Sequence, residues 1–385
     1  EIGWCDWSSD VCSSDLGVMP RGSEDLILGA PGHDPSGRDY AGTAYVVFGK
    51  ATGFSASLDI SSLDGSNGFA INGVSAGDAT GISVGTAADF NGDGFDDLLI
   101  GADGANPGGN EEGASYLVFG KSGGFAAELE LSSLDGSAGF VIPGVDAYGY
   151  GGWALGSAGD INGDGFDDVM FTASGANAGR GKAYAVFGSA GPFGGSFDLT
   201  TLNGSNGLVI GGAEDGDGTG FAVSGGGDVN GDGFDDLLIG SPGTDSGDGS
   251  DAGAAAVVFG QAGAFPASLN VSDLDGTNGL ALYGVEPADE AGKSLALGGD
   301  CNGDGLDDLL IGAPYGQPDY DDSGVSYLFF GEDFLYTITH RGGESADNLV
   351  GDAAADVMLG GGGDDVLVGG GGADVLRGGP GDDIL

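Results

Sequence analysis

One nine-residue acidic element, D-x-N-G-D-G-x-D-D, stands four times in this 385-residue chain, and its recurrence restricts the fold more than any bulk property. The copies run from Asp89 to Asp97, Asp160 to Asp168, Asp228 to Asp236 and Asp300 to Asp308, with starts 71, 68 and 72 residues apart. Each continues into an apolar run such as Leu98-Leu-Ile-Gly101 or Leu237-Leu-Ile-Gly240. A second run ending in Phe-Gly follows, at Tyr116 to Gly120, Tyr184 to Gly188, Val257 to Gly260 and Tyr327 to Gly331. A third, introduced by Leu-Asp-Gly at Leu63, Leu134 and Leu274 (Leu202-Asn203 is a variant), precedes a Gly-rich stretch leading into the next acidic element. The pattern predicts four short strands per period, bounded by Gly, Asp and Asn turns and without helical periodicity. One such sheet cannot bury both faces alone, so the expected unit is a propeller blade stacked between neighbours. Glu24 to Pro31 and Tyr45 to Gly49 supply part of an earlier blade, whose acidic loop would fall in the N-terminal segment.

Gly-Ala-Pro at 29–31 and 312–314, the repeated Phe-Gly and the acidic element together resemble FG-GAP repeats, the blades of the integrin alpha-subunit propeller. The resemblance covers about residues 24–335. It implies a seven-bladed ring, of which this chain holds a little over half; closure then requires dimerisation or further sequence.

The acidic elements have the composition of a calcium cage. Calcium takes six to eight hard oxygens from carboxylates, amide and backbone carbonyls and water, and magnesium sheds its waters too reluctantly for such a cage. In the first copy the side chains of Asp89, Asn91, Asp93 and Asp97 supply oxygens, and Phe95 offers its backbone carbonyl. Gly92 and Gly94 permit the positive-φ turns that wrap a chain round an ion. The spacing follows the calcium hairpin of the integrin family, which passes the same roles to Asp160, Asn162, Asp164, Phe166 and Asp168. It passes them likewise to Asp228, Asn230, Asp232, Phe234 and Asp236, and to Asp300, Asn302, Asp304, Leu306 and Asp308. Position eight (Asp96, Asp167, Asp235, Asp307) reads as a supporting or strand-start residue. The plain alternative is a solvated Asp/Asn/Gly turn, which four registered copies disfavour.

A second period, of nine, begins at Gly342: GGESADNLV, GDAAADVML, GGGGDDVLV, GGGGADVLR, GGPGDDIL. Asp347, Asp356, Asp365, Asp374 and Asp383 recur in one register, with Leu349, Met358, Leu367, Leu376 and Leu385 in another. This resembles the RTX nonapeptide of hemolysin-type calcium-binding proteins, whose repeats form a parallel β-roll. The resemblance implies ions held between Asp347 and Asp365, Asp356 and Asp374, and Asp365 and Asp383, one eighteen-residue coil apart. The second copy departs most, with Asp352 and Ala354 in place of glycines.

The expected fold class is therefore all-β: about 4.5 four-stranded blades over 21–335, then a linker and β-roll over 336–385. Residues 1–20 have no place in it. Glu1 to Leu16 match nothing else in the chain and resemble sequencing-adapter read-through, a poorly ordered native terminus being the alternative. The last nonapeptide stops at its eighth residue, so this end is also expected to be cut.

Charge narrows the function. Nine Lys and Arg face 60 Asp and Glu, a formal net charge of −51. That excludes a general nucleic-acid binder, which needs clustered basic residues, and disfavours anionic membrane surfaces. No run is apolar enough to span a bilayer. With 40% hydrophobic residues a core is affordable, yet self-repulsion calls for bound cations. Three cysteines, two of them in the N-terminal segment, make no disulfide framework. Gly81-Ile-Ser83-Val-Gly85 fits a nucleophile-elbow string, but the repeat explains it and no helix is expected after it. The expectation is a non-catalytic, calcium-binding extracellular module of a bacterial secreted or surface protein, most readily an adhesin. Its loops 102–113, 174–181, 241–253 and 314–324 would face a protein or glycan ligand, Asp245, Asp248 and Asp251 or Tyr315, Asp319, Tyr320 and Asp322 among them. The β-roll resembles segments that fold on calcium after type I export. Two alternatives stay open: an accessory region of a secreted hydrolase, and a lectin-like propeller.

Overall fold

The last aspartate of an acidic element opens the strand that follows it, as Asp97 does over Asp97–Ala102, Asp168 over Asp168–Ala173 and Asp236 over Asp236–Ser241. Each of these strands then runs through Leu, Ile, Val, Met or Phe residues buried on both faces, as the middle of a stacked blade requires. The computed structural model describes residue 18 and residues 25–50, 54, 56–245, 251–316, 323–331, 340–341, 346–354, 356–359, 363, 365–372, 374–378 and 384–385.

Five sheets follow one another in chain order. The first holds β1 (Leu26–Ala30), β2 (Thr43–Val47) and β3 (Gly68–Asn72). The second holds β4 (Val84–Ala88), β5 (Asp97–Ala102), β6 (Ala114–Val118) and β8 (Gly139–Pro143), with β7 (Glu128–Glu130) leaving it between β6 and β8. The third comprises β9 (Leu155–Gly159), β10 (Asp168–Ala173), β11 (Lys182–Val186) and β12 (Gly207–Gly211). The fourth comprises β13 (Val223–Gly227), β14 (Asp236–Ser241), β15 (Ala254–Val258) and β17 (Gly279–Tyr283), with β16 (Ser268–Asn270) again leaving it. The fifth shows β18 (Ser294–Leu297), β19 (Leu309–Ala313) and β20 (Val325–Phe329). Pairing within each is antiparallel, so the acidic loops between first and second strands lie at one end and the second-to-third-strand loops at the other.

The short strands that leave their sheets were not anticipated. β7 pairs in parallel with β3 of the sheet before it, and β16 with β12. Ser196 makes the equivalent bridge to Val141. Aromatic side chains travel with these straps: Phe125 stacks on Phe69 at 4.1 Å between ring centres, and Phe193 on Phe140 at 5.4 Å. The straps thus cover the outer edge of the preceding sheet and pack a partly buried ring, Phe125 or Phe193, on a fully buried one, Phe69 or Phe140.

Four apolar clusters lie between successive sheets. Burial changes at the fifth sheet, where Leu310 is 44% and Leu328 46% exposed, whereas their counterparts Leu99 and Leu117 are fully buried.

The C-terminal repeats form a separate pair of parallel ladders. β21 (His340–Arg341), β23 (Val357–Leu359) and β25 (Val375–Arg377) make one, β22 (Asn348–Val350) and β24 (Val366–Val368) the other. Asn348 pairs with Val366 and Val357 with Val375, so one turn takes two nonapeptides, as expected of a β-roll. Met358 and Leu367 are buried inside it.

Candidate metal centres

Each hairpin is organised by its first aspartate, which turns both carboxylate oxygens back onto the loop's own amides. Asp89 accepts from the amides of Asp93 (2.8 Å) and Gly94 (2.9 Å), and Asp160 from those of Asp164 (3.0 Å) and Gly165 (2.8 Å). Asp228 and Asp300 grip the turn in the same way, through Gly231 and Gly233 and through Gly303 and Gly305. The fifth residue closes the next turn: Asp93, Asp164, Asp232 and Asp304 each accept the amide two residues on. Gly92 and Gly163 adopt φ of 71°, the left-handed region that glycine enters freely.

The ninth residue is buried and doubly anchored. Asp236 accepts the amides of Val229 (2.9 Å) and Gly260 (2.8 Å), Asp168 those of Ile161 and Gly188, and Asp308 those of Cys301 and Gly331. Asp97 accepts the Gly120 amide at 2.9 Å and the Asn91 side-chain amide at 3.3 Å. The glycine of every Phe-Gly run therefore donates to the last aspartate of its own acidic element. Gly49 does the same to Asp25 at 2.8 Å, so Asp25 stands in the first sheet where the ninth residue stands in the later ones, although residues 17–24 do not carry the acidic pattern. The Phe48-Gly49 run was the signal for it.

Electrostatics follow from this crowding. Burial, reinforced by the charges of Asp93 and Asp89, pushes Asp97 up to about 8 against the pull of the Gly120 amide. Burial and the Asp164 and Asp160 charges do the same to Asp168, also up to about 8. Asp236 is raised well above the carboxylate range by burial, then by Asp228. The carboxylates of one hairpin thus repel at close quarters, and a cation among them would reverse the cost. In the second hairpin the Asn162 side-chain carbonyl is buried without a hydrogen-bond donor. An orphaned buried oxygen in a loop that also carries Asp160, Asp164 and Asp168 fits a hard divalent ion. Among the described residues no three His, Cys, Asp or Glu side chains form a metal shell by themselves; the hairpin set includes asparagine and backbone oxygens.

The eighth residue reaches across to the neighbouring blade. Asp167 accepts the amide of Asp89 (3.0 Å), Asp235 that of Asp160 (2.8 Å) and Asp307 that of Asp228 (2.9 Å). The seventh side chain also leaves its own loop, the Phe166 ring lying on Gly92 and the Phe234 ring on Gly163. Leu306 is fully buried.

In the β-roll the Asp347 amide donates to the Asp365 carboxylate at 2.7 Å, and the Asp356 amide to Asp374 at 3.0 Å. The structure thus brings these eighteen-apart pairs together, while Asp383 lies outside the described residues, as do Asp248, Asp319, Tyr320 and Asp322. In the divergent second copy Asp352 accepts the amide of Ala354 at 2.7 Å. Ser83, of the nucleophile-like string, is buried and donates its hydroxyl to the Gly152 carbonyl at 2.7 Å, a tie between blades.

Comparison with known proteins agrees with this geometry. The FG-GAP repeat family matches residues 80–118, 151–187, 219–258 and 291–329, and the RTX calcium-binding nonapeptide repeat matches 341–376 and 359–385. The chain carries FG-GAP repeats followed by RTX nonapeptides. Calcium is accordingly its metal. It is 30% identical over 166 residues to integrin alpha-5 of Xenopus laevis, covering 42% of this chain and 14% of that protein. It is 32% identical over 173 residues to phosphatidylinositol-glycan-specific phospholipase D of Bos taurus, covering 44% and 18%. Integrin alpha-PS2 of Drosophila melanogaster is 35% identical over 185 residues, covering 46% and 12%. The chain thus spans under a fifth of the length of these curated relatives. The FG-GAP and RTX repeats are structural and calcium-binding modules, consistent with an extracellular setting, and no helix among the described residues is long and apolar enough to cross a membrane.

Proposed function

We propose that the chain is a non-catalytic adhesion module of a bacterial secreted protein, held in shape by calcium. The observation that carries this is the fourfold hairpin with its buried ninth aspartate, an acid whose ionised form a folded core tolerates only when compensated. Asp89, Asn91, Asp93 and Asp97 hold the first ion with the Phe95 carbonyl, and their counterparts in the other three hairpins hold one each. Asp347, Asp356, Asp365, Asp374 and Asp383 hold those of the roll. Calcium would supply positive charge for six to eight oxygens; the protein's own amides keep each carboxylate aimed. The β-roll folds on meeting millimolar calcium outside the cell. The varied loops at the opposite end of the blades bind a protein or glycan. The test is binding of the purified chain to glycan arrays and protein-coated surfaces at millimolar calcium; blank surfaces in both formats would overturn the adhesion role.

A second reading has support of its own. The similarity to phosphatidylinositol-glycan-specific phospholipase D favours an accessory region attached to a hydrolase. The encoding gene decides between them: an adjoining hydrolase domain favours this reading, further repeats the first.

A further inference from the structure

The segments that carry the chain from one blade to the next, 74–81, 145–152, 213–220 and 285–292, share one backbone course at the end of the blades away from the hairpins. Each puts its fourth and sixth residues in the left-handed region: Gly77 and Ala79, Tyr148 and Tyr150, Gly216 and Gly218, Ala288 and Glu290. Glycine enters that region freely, whereas a bulky residue there is an outlier. The second crossover fills both places with tyrosine, Tyr148 at φ 56° and Tyr150 at φ 54°.

Packing does not account for these residues. Tyr148 is 59% exposed and Tyr150 39%. The Tyr150 ring touches Gly175 of the third sheet's loop, where a Cβ would stand 2.8 Å from its Cδ2 atom. The strained backbone therefore carries rings turned to solvent, and strain held in this way gathers at binding sites.

The loop of the second sheet sets polar groups beside the rings. The Asn110 carbonyl accepts the Tyr148 amide at 2.7 Å, and the Glu111 carbonyl accepts the Tyr150 amide at 3.4 Å. The Tyr150 hydroxyl donates to the Glu111 carboxylate at 3.3 Å. This loop is itself held in shape. Its Glu111 amide donates to the Asn106 side chain at 2.9 Å, and the buried Glu112 carboxylate accepts the amides of Gly108 (3.1 Å) and Asn110 (3.2 Å). Two rings, a carboxylate and an amide side chain thus share one ordered surface, with Asn110 and Glu111 exposed beside the tyrosines.

The chemistry of that surface selects its ligand. A saccharide offers apolar C–H faces to the rings and hydroxyl donors to the carboxylate. Tyrosine makes such contacts with little loss of side-chain freedom, and here the backbone is fixed beforehand. A formal charge of −51 repels sulfated, sialylated and other anionic glycans.

We propose that Tyr148, Tyr150, Asn110 and Glu111 form a binding site for a neutral glycan at the junction of the second and third sheets. The site rests on the reading of the loop end as the ligand-binding face, and gives that face one class of ligand and one place.

The test is an array of neutral and anionic glycans probed with the full chain in millimolar calcium, followed by calorimetric titration of the strongest neutral glycan. Tyr148→Gly and Tyr150→Gly install the residue that the third crossover carries in both places, so each should fold and melt no lower than the parent. Each should nevertheless bind about tenfold more weakly, as loss of a principal contact residue does. Should one of them fail to fold, the other decides. Tyr283→Ala, which removes a ring 60% exposed at the same end of the fourth sheet, should bind as the parent does. Full-strength binding by the glycine variants, or an equal loss in Tyr283→Ala, overturns this site and leaves the loop end as the ligand-binding face. An array without a neutral hit overturns the site as well, and protein-coated surfaces then decide the broader reading.

Discussion

The carboxylate of Asp235 receives the amide of Asp160, 2.8 Å away and one blade earlier. Asp160 in turn organises its own hairpin, so the first ligand position of one blade is steadied by the eighth residue of the next. Charge-assisted bonds of this kind contribute about 1.5–3 kcal/mol. Asp235→Ala is expected to lower the unfolding free energy by about that amount in urea denaturation, with Asp235→Asn recovering part of it. Equal stability of parent and alanine variant would show that the tie is idle.

Removal of calcium should loosen the whole propeller. If each hairpin binds near 0.1 mM, the tight edge for extracellular modules, about 1 mM calcium adds roughly 1.4 kcal/mol per site, or about 6 for four. This rivals the full stability of an ordinary domain. EDTA should therefore lower the melting temperature strongly, and calcium rather than magnesium should restore it. A melting curve indifferent to EDTA would end the structural role of the metal.

Single hairpins should empty independently. Asp232 offers one oxygen to the Phe234 amide and another to the Asn230 side chain, both within its own hairpin. Asp232→Ala is expected to release one calcium ion and leave the others bound. Native mass spectrometry with no ion lost would remove Asp232 from the ligand set.

The packing of the Phe234 ring on Gly163 predicts a steric penalty. A methyl group at Gly163 would strike that ring, at a φ of 71° that side chains avoid. Gly163→Ala should cost about 2–4 kcal/mol, combining overpacking with backbone strain. Gly165, also at positive φ but with open space beside it, should cost about 1 kcal/mol when replaced by alanine. Thermal denaturation of the two variants separates the terms.

Much of this structure is written in periodic form. The strands could be placed because Leu98-Leu-Ile or Tyr116-Leu-Val-Phe recur between turn residues, and the β-roll because Leu367 and its counterparts keep one register. What stayed hidden depends on side chains meeting across blades. Nothing in the acidic element says that Asp167 turns back to Asp89, or that Phe166 lies on Gly92. The straps β7 and β16 were missed because three residues such as Ser268-Leu-Asn270 are too few to show a period.

The backward reach of the eighth residue gives assembly a direction. A hairpin acquires its outer support only when the downstream blade has docked, so nascent chain leaving the ribosome carries one unfinished loop at its growing end. Export that delivers the C-terminus first would meet the opposite situation, with each arriving loop finding its brace already in place.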